Sequence, residues 1–234
     1  MKLRMQITKE KDIRFISHLE YVRTIERAIR RAKIPAAYSE GFNPHMKFSL
    51  ASALGVGVVS YTEFVEIELA EPMEVAQAAA ALSRALPRGI KVLAADAVDT
   101  HHPALMAQAA GASYRVTVPY DGKIDAAAEA FNAAEQMLFK KAAPKRKEKF
   151  KEIDVKFYIP QMVVQYEDGA VVFNFDCKIT PGGSMKAVDL LNALNEHYEL
   201  QLPVEKADIE RLALYRTDNK DNKLPLLSQT AYKL

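Results

Sequence analysis

The chain has 234 residues, 49% of them hydrophobic and 26% charged, which excludes the disordered, collagen-like and low-complexity classes. One cysteine, Cys177, excludes an internal disulfide and a cysteine-ligated iron–sulfur cluster. No apolar run approaches the roughly 18 residues of a membrane span and Met1-Lys2-Leu3-Arg4 begins no signal peptide, so the expectation is a cytoplasmic protein with no membrane contact.

The first hundred residues read as strand, helix, strand, strand, helix, strand. Leu3 to Thr8 alternates as a strand, and Ser17 with Glu20 three residues later is the reciprocal capping pattern that opens a helix. Leu19, Val22, Ile25, Ala28, Ile29 and Ala32 give that helix one apolar face, and Pro35 ends it. Lys47 to Ala51 and Glu63 to Leu69 are short strands, the second with an acidic, half-solvated face. Met73 to Leu86 is a second helix and Ile90 to Ala95 a fourth strand.

Residues 99–112 form a connector, after which the order recurs. Tyr114 to Pro119 is a strand, Ile124 to Lys141 a helix, and Lys151 to Pro160 and Met162 to Tyr166 are extended. Glu167-Asp168-Gly169 turns into the strand Ala170 to Ile179, followed by a helix from Ser184 to His197 and a strand from Ile209 to Arg216. The order βαββαβ appears twice, which predicts an α+β protein of two tandem ferredoxin-like domains, 1–98 and 113–216, with a tail at 217–234 that is either docked or loose.

Net charge is +2, but residues 1–50 hold 11 Lys and Arg against 5 Asp and Glu. Arg23, Arg27, Arg30 and Arg31 share one face of the first helix, next to Lys33. The loop that follows packs Tyr38, Gly41, Phe42, Asn43, Pro44, His45 and Lys47 together. Free guanidinium groups beside an aromatic, histidine-bearing loop suit phosphate and base-stacking contacts of single-stranded RNA. A solvated helix face and a demanding turn would account for the same residues.

Three weaker signals remain. Gly55-Val56-Gly57 reads as a bend. Thr180-Pro181-Gly182-Gly183-Ser184 with Lys186 at a helix start is a candidate anion site built from helix N-terminal amides, although an ordinary helix start explains it as well. Lys140 to Lys151 holds seven basic residues against the single acidic Glu148, a solvated loop or a lengthened nucleic-acid track. No His-Glu-x-x-His or Cys-x-x-Cys spacing exists, so neither metal nor cofactor is expected. His18 and His45 are the residue types an RNA-cleaving acid–base pair would use.

The run Phe15-Ile16-Ser17-His18-Leu19-Glu20, with Arg23, Arg27 to Ala32, Ile34-Pro35 and Tyr38 to His45, resembles the bacterial radical SAM-linked protein family. Met46 departs from that family's Asn-Pro-His-Pro pattern. The family is a domain of unknown function found alone or fused to the C-terminus of B12-binding-type radical SAM proteins, and the resemblance implies work beside a radical SAM enzyme in the modification of tRNA or rRNA. The chain lacks the three-cysteine cluster motif of such an enzyme. The tandem architecture is also similar to CRISPR repeat-processing endoribonucleases, an analogy of fold.

The expectation is therefore an RNA-binding or substrate-presenting accessory of a radical SAM enzyme. Arg23, Arg27, Arg30, Arg31 and Lys47 would hold phosphates, Tyr38 and Phe42 stack on bases, and Asn43 and His45 select. The alternatives are a metal-independent endoribonuclease using His18 and His45, and an adaptor docking through Phe42 and Met46. Oligomeric state is left open.

Overall fold

The computed structural model describes residues 1–142 and 149–234. The chain divides into two units, residues 1–110 with 213–234, and residues 111–212. Among the described residues helices and strands alternate through both, an α+β protein, and no helix is long and apolar enough to cross a membrane.

In the first unit β1 (Lys2–Lys9), α1 (His18–Arg31), β2 (Phe48–Leu50), β3 (Val58–Glu68), α2 (Val75–Ala85) and β4 (Val92–Val98) precede the short α3 (Leu105–Gln108). Strand order is β2-β3-β1-β4, every pair antiparallel. Leu3, Met5 and Ile7 alternate onto the face that packs against Tyr21, Ile25, Ala28 and Ile29 of α1 and Ala78, Ala79 and Leu82 of α2. The buried stripe of α1 runs through Tyr21, and Leu19, expected in it, is exposed. Tyr21 enters the core because its hydroxyl donates to the Thr8 carbonyl at 2.7 Å.

β3 is buried along nearly its whole length, not half-solvated. Its acidic face is covered because Arg4, almost fully buried, closes on Glu66 Oε2 at 2.7 Å. Arg4 and Lys2 also donate to the carbonyls of Pro103 and His102, at 2.6 and 2.9 Å. Residues 99–110 of the expected connector therefore belong to this unit, His102 and Pro103 lying against β1, while Gly111 and Ala112 begin the second. The tail is docked as well: Leu226 and Leu227 are buried, and a last strand pairs Tyr232 and Lys233 with Ala95 and Ala94, covering the β4 edge.

The second unit contains β5 (Gly111–Pro119), α4 (Asp125–Ala133), β6 (Leu138–Ala142), β7 (Phe150–Asp154), α5 (Val155–Tyr158), β8 (Met162–Glu167), β9 (Ala170–Thr180), β10 (Gly183–Ser184) and α6 (Ala187–Tyr198). β11 (Asp208–Thr217) begins here and carries the chain back into the first unit. Two short strands follow, β12 (Lys223–Leu224) and β13 (Tyr232–Lys233). The sheet order is β8-β9-β5-β11.

The helix expected over Ile124 to Lys141 stops at Ala133, and Leu138 to Ala142 pairs with β7 instead. Its end is fixed by the buried Lys156, whose Nζ donates to the carbonyls of Phe131 and Asn132 at 2.8 and 3.4 Å, a cation on the negative end of α4. The Asn132 side chain meanwhile brackets Met162, giving to its carbonyl at 2.8 Å and accepting from its amide at 3.0 Å.

Two measurements test this packing. Glu66→Gln leaves a buried guanidinium without its counter-charge and should cost about 3 kcal/mol in urea unfolding, whereas Glu26→Gln, at the exposed pair with Arg30, should cost under about 1 kcal/mol. Burial pushes the Cys177 thiol up to about 11. Its folded value is raised, so this stabilisation is present below the ordinary thiol value and is lost as pH rises towards about 11. A thiol reagent at mildly alkaline pH should label Cys177 in urea and leave the native protein unlabelled.

Candidate nucleic-acid interface

α1 opens as its sequence predicts. The Glu20 amide donates to Ser17 Oγ at 3.2 Å and the Ser17 amide to Glu20 Oε2 at 2.8 Å. The Ser17 amide first, and then the Ser17 hydroxyl, hold the Glu20 carboxyl below its usual range. Its other end is a Schellman turn without glycine: the Lys33 amide donates to Arg30 and the Ile34 amide to Ile29, at 3.1 and 3.4 Å, with Lys33 left-handed at φ 53°. Pro35 then prevents continuation.

From there residues 37–47 fold as a hairpin. The Lys47 amide donates to Ala37 at 2.8 Å, the Ser39 amide to His45 at 2.9 Å, and Tyr38 bridges Met46. Met46 is only 5% exposed and anchors the hairpin in the core. Glu40, Gly41, Phe42, Asn43 and Pro44 form the exposed tip, with Gly41 at φ 113°, a conformation a side chain would strain. Phe42 is fully exposed.

Arg23, Arg27, Arg30 and Arg31 all lie on the exposed face of α1. Arg30 pairs with Glu26 at 2.7 Å and stands over the Tyr38 ring, 5.5 Å from its centroid. Glu26 first, then Tyr38, raise its pKa, so it stays charged. Arg31 instead donates to the Ala85 carbonyl at the end of α2, at 2.8 Å. Arg23 and Arg27 donate to no group among the described residues, Glu20 being a Coulombic neighbour of Arg23. Lys47 pairs with Glu68 at 3.0 Å, an exposed ion pair of the same kind as that of Arg30 with Glu26.

Ser39, which sequence reasoning passed over, positions His45. Its Oγ accepts from the His45 amide at 3.0 Å and lies 2.9 Å from Nδ1. The only signal in the sequence was a serine and a histidine symmetrically flanking the tip.

His18 and His45 are not brought together. Tyr21 ties the start of α1 to the Thr8 end of β1, whereas Ala37 and Lys47 hold the hairpin to Glu68, which pairs with Lys2 at the other end. The length of α1 between them is about 20 Å at 1.5 Å per residue. The candidate anion site also has a different shape. Gly183 and Ser184 pair back onto Thr180 and Ile179, Thr180 Oγ1 donates to the Gly183 carbonyl at 2.9 Å, and α6 begins only after Lys186. The amides of Gly182, Gly183 and Ser184 belong to that hairpin and not to a helix N-terminus. Gly57 bends as expected, its amide donating to the Arg14 carbonyl at 2.8 Å. The centre of the Lys140 to Lys151 run lies outside the described residues.

The imidazole geometry makes its own prediction. Long-range nitrogen–proton correlation spectra should show one His45 tautomer selected by its contact with the Ser39 hydroxyl, and Ser39→Ala should mix the two.

No curated protein matches the chain. Among solved structures it is similar to one described as a Cbf5-Nop10-Gar1 complex, at 11% identity and a TM-score of 0.44, over 91% of this chain and 50% of that one. The chain thus spans half the length of that match. A second, described as an unknown protein from Galdieria sulphuraria, has 14% identity and a TM-score of 0.25, over 90% of this chain and 97% of that one. The family described as an uncharacterized protein conserved in bacteria (DUF2344) matches residues 2–188, which include α1 and the hairpin, and the chain belongs to that family.

Proposed function

We propose that this protein binds single-stranded RNA and presents it to a radical SAM enzyme that modifies it. The observation that carries the RNA half is the continuity of α1 with the hairpin. Arg23 and Arg27 are uncommitted cations, Arg30 is stacked on Tyr38, and an exposed Phe42 projects from the same end of the helix as Arg30. Guanidinium groups hold phosphates while aromatic faces take bases of any sequence. The exposed His45 ring and the Asn43 amide supply hydrogen-bonding groups for selection. The radical SAM half rests on the resemblance of the motif block, and the chain works in the cytoplasm on this reading. Each unit is read as a ferredoxin-like βαββαβ domain, a reading supported by the shared strand order. The separation of His18 from His45 disfavours the nuclease, and the burial of Met46 removes one member of the Phe42 and Met46 pair through which an adaptor would dock.

Fluorescence titration of a labelled single-stranded oligoribonucleotide over a salt series checks the RNA half. Three phosphate contacts should give a log–log slope of about −2. Arg27→Ala should make that slope shallower by about 0.7, and Phe42→Ala should weaken binding by about 1 to 3 kcal/mol. Association with a radical SAM enzyme should survive both substitutions. Unchanged affinity in both variants, or no affinity for any single strand, removes the reading.

A further inference from the structure

We infer that the β6–β7 ribbon of the second unit is a further single-stranded RNA contact, the counterpart of the hairpin in the first. The inference rests on the RNA-binding reading above. Both units have the same strand order once β5, β8, β9 and β11 are matched to β1, β2, β3 and β4. In each, the segment between the first helix and the outer strand folds back on itself: residues 37–47 in one, β6 and β7 in the other. The chain therefore presents a hairpin twice from the same place in the topology.

The two hairpins also share a chemistry. In the ribbon Lys140 faces Glu152, Lys141 faces Lys151, and residue 142 faces Phe150. Period-two alternation puts Phe139 and Ile153 on the buried side together with Lys141, whose Nζ reaches Asp189 Oδ2 at 2.5 Å. Leu138, Lys140, Phe150 and Glu152 lie on the opposite side, Phe150 being 57% exposed. Lys149, exposed at φ 55°, adjoins it. In α5, which follows β7, Lys178 stands over the exposed Phe157 ring at 5.6 Å. Exposed rings beside ammonium groups fit a strand that offers both phosphates and bare base faces; of the two acidic residues on that face, Glu152 is opposite Lys140 and the half-buried Asp154 accepts from the Met137 and Lys156 amides. A protein partner would have to cover these lysines without supplying bases.

The test uses the whole chain, a fluorescein-labelled oligouridine, and heparin as a base-free polyanion. Phe150→Ala should weaken oligouridine binding about tenfold while leaving heparin binding unchanged, and Phe150→Tyr should restore it. Lys140→Ala with Lys149→Ala should make the salt slope shallower by about 1.4. Circular dichroism confirms that each variant folds. If Phe42→Ala weakens oligouridine binding and the ribbon variants do not, the ribbon inference is overturned and the RNA reading stands. If the ribbon lysines matter equally for heparin and Phe150→Ala is silent, the ribbon is an unspecific cationic surface and the inference falls. If the wild type binds no oligouridine, both fall together.

Discussion

The placement of the candidate interface depends on one residue's backbone. Glu68 gives its carbonyl to the Ala37 amide at 2.8 Å and its amide to the Lys47 carbonyl at 3.0 Å, so the last residue of β3 clamps both legs of the hairpin. Its side chain holds Lys47 as well. Because β3 is paired along most of β1, the clamp is as rigid as the sheet. The tip can then be exposed and apolar without the hairpin needing any stability of its own, which an isolated two-stranded hairpin would not have.

Cations in this protein do two physically different things. Arg4 and Lys156 are buried, and each is satisfied by carbonyls or a carboxylate that would otherwise be desolvated without a partner. Burial lowers the Lys156 pKa, so its charge is held there by geometry against solvation. Arg23 and Arg27 are exposed and unengaged. Removing a buried cation strands a carbonyl or carboxylate, whereas removing an exposed one alters little within the fold. Only the second kind is available to a ligand.

What could be read from the sequence was local. Ser17 and Glu20 lie three residues apart and announce the start of α1, and Pro35 announces its end. The βαββαβ order of elements came from periodicities of a few residues. The departures all arise from partners distant in the chain. Lys47 and Glu68 are 21 residues apart and Arg4 and Glu66 are 62, so neither pair shows in any window, and the solvated acidic strand becomes a buried one. Lys156 ends α4 from 24 residues away, which is why an alanine-rich run that looked helical to Lys141 turns into a ribbon. The division of the chain shifted for the same reason, since residues 99–110 and the tail join the first unit through Arg4, Lys2 and the β4 edge.

The recurrence of a hairpin after the first helix has a physical rationale. In a βαββαβ unit the second and third strands are joined by a turn, and the first and fourth strands are held in the sheet beside elements that fix their ends. The passage from the first helix to the outer strand runs past the end of the sheet, and both its anchors are already set by packing. Loop-closure cost grows only slowly with length, by about 0.6 kcal/mol per doubling, so residues added there displace nothing in the core. A hairpin is the form of addition that satisfies its own backbone groups. Among the described residues of these two hairpins, exposed aromatic rings occur near positive charge, at Phe42 in one unit and at Phe150 in the other.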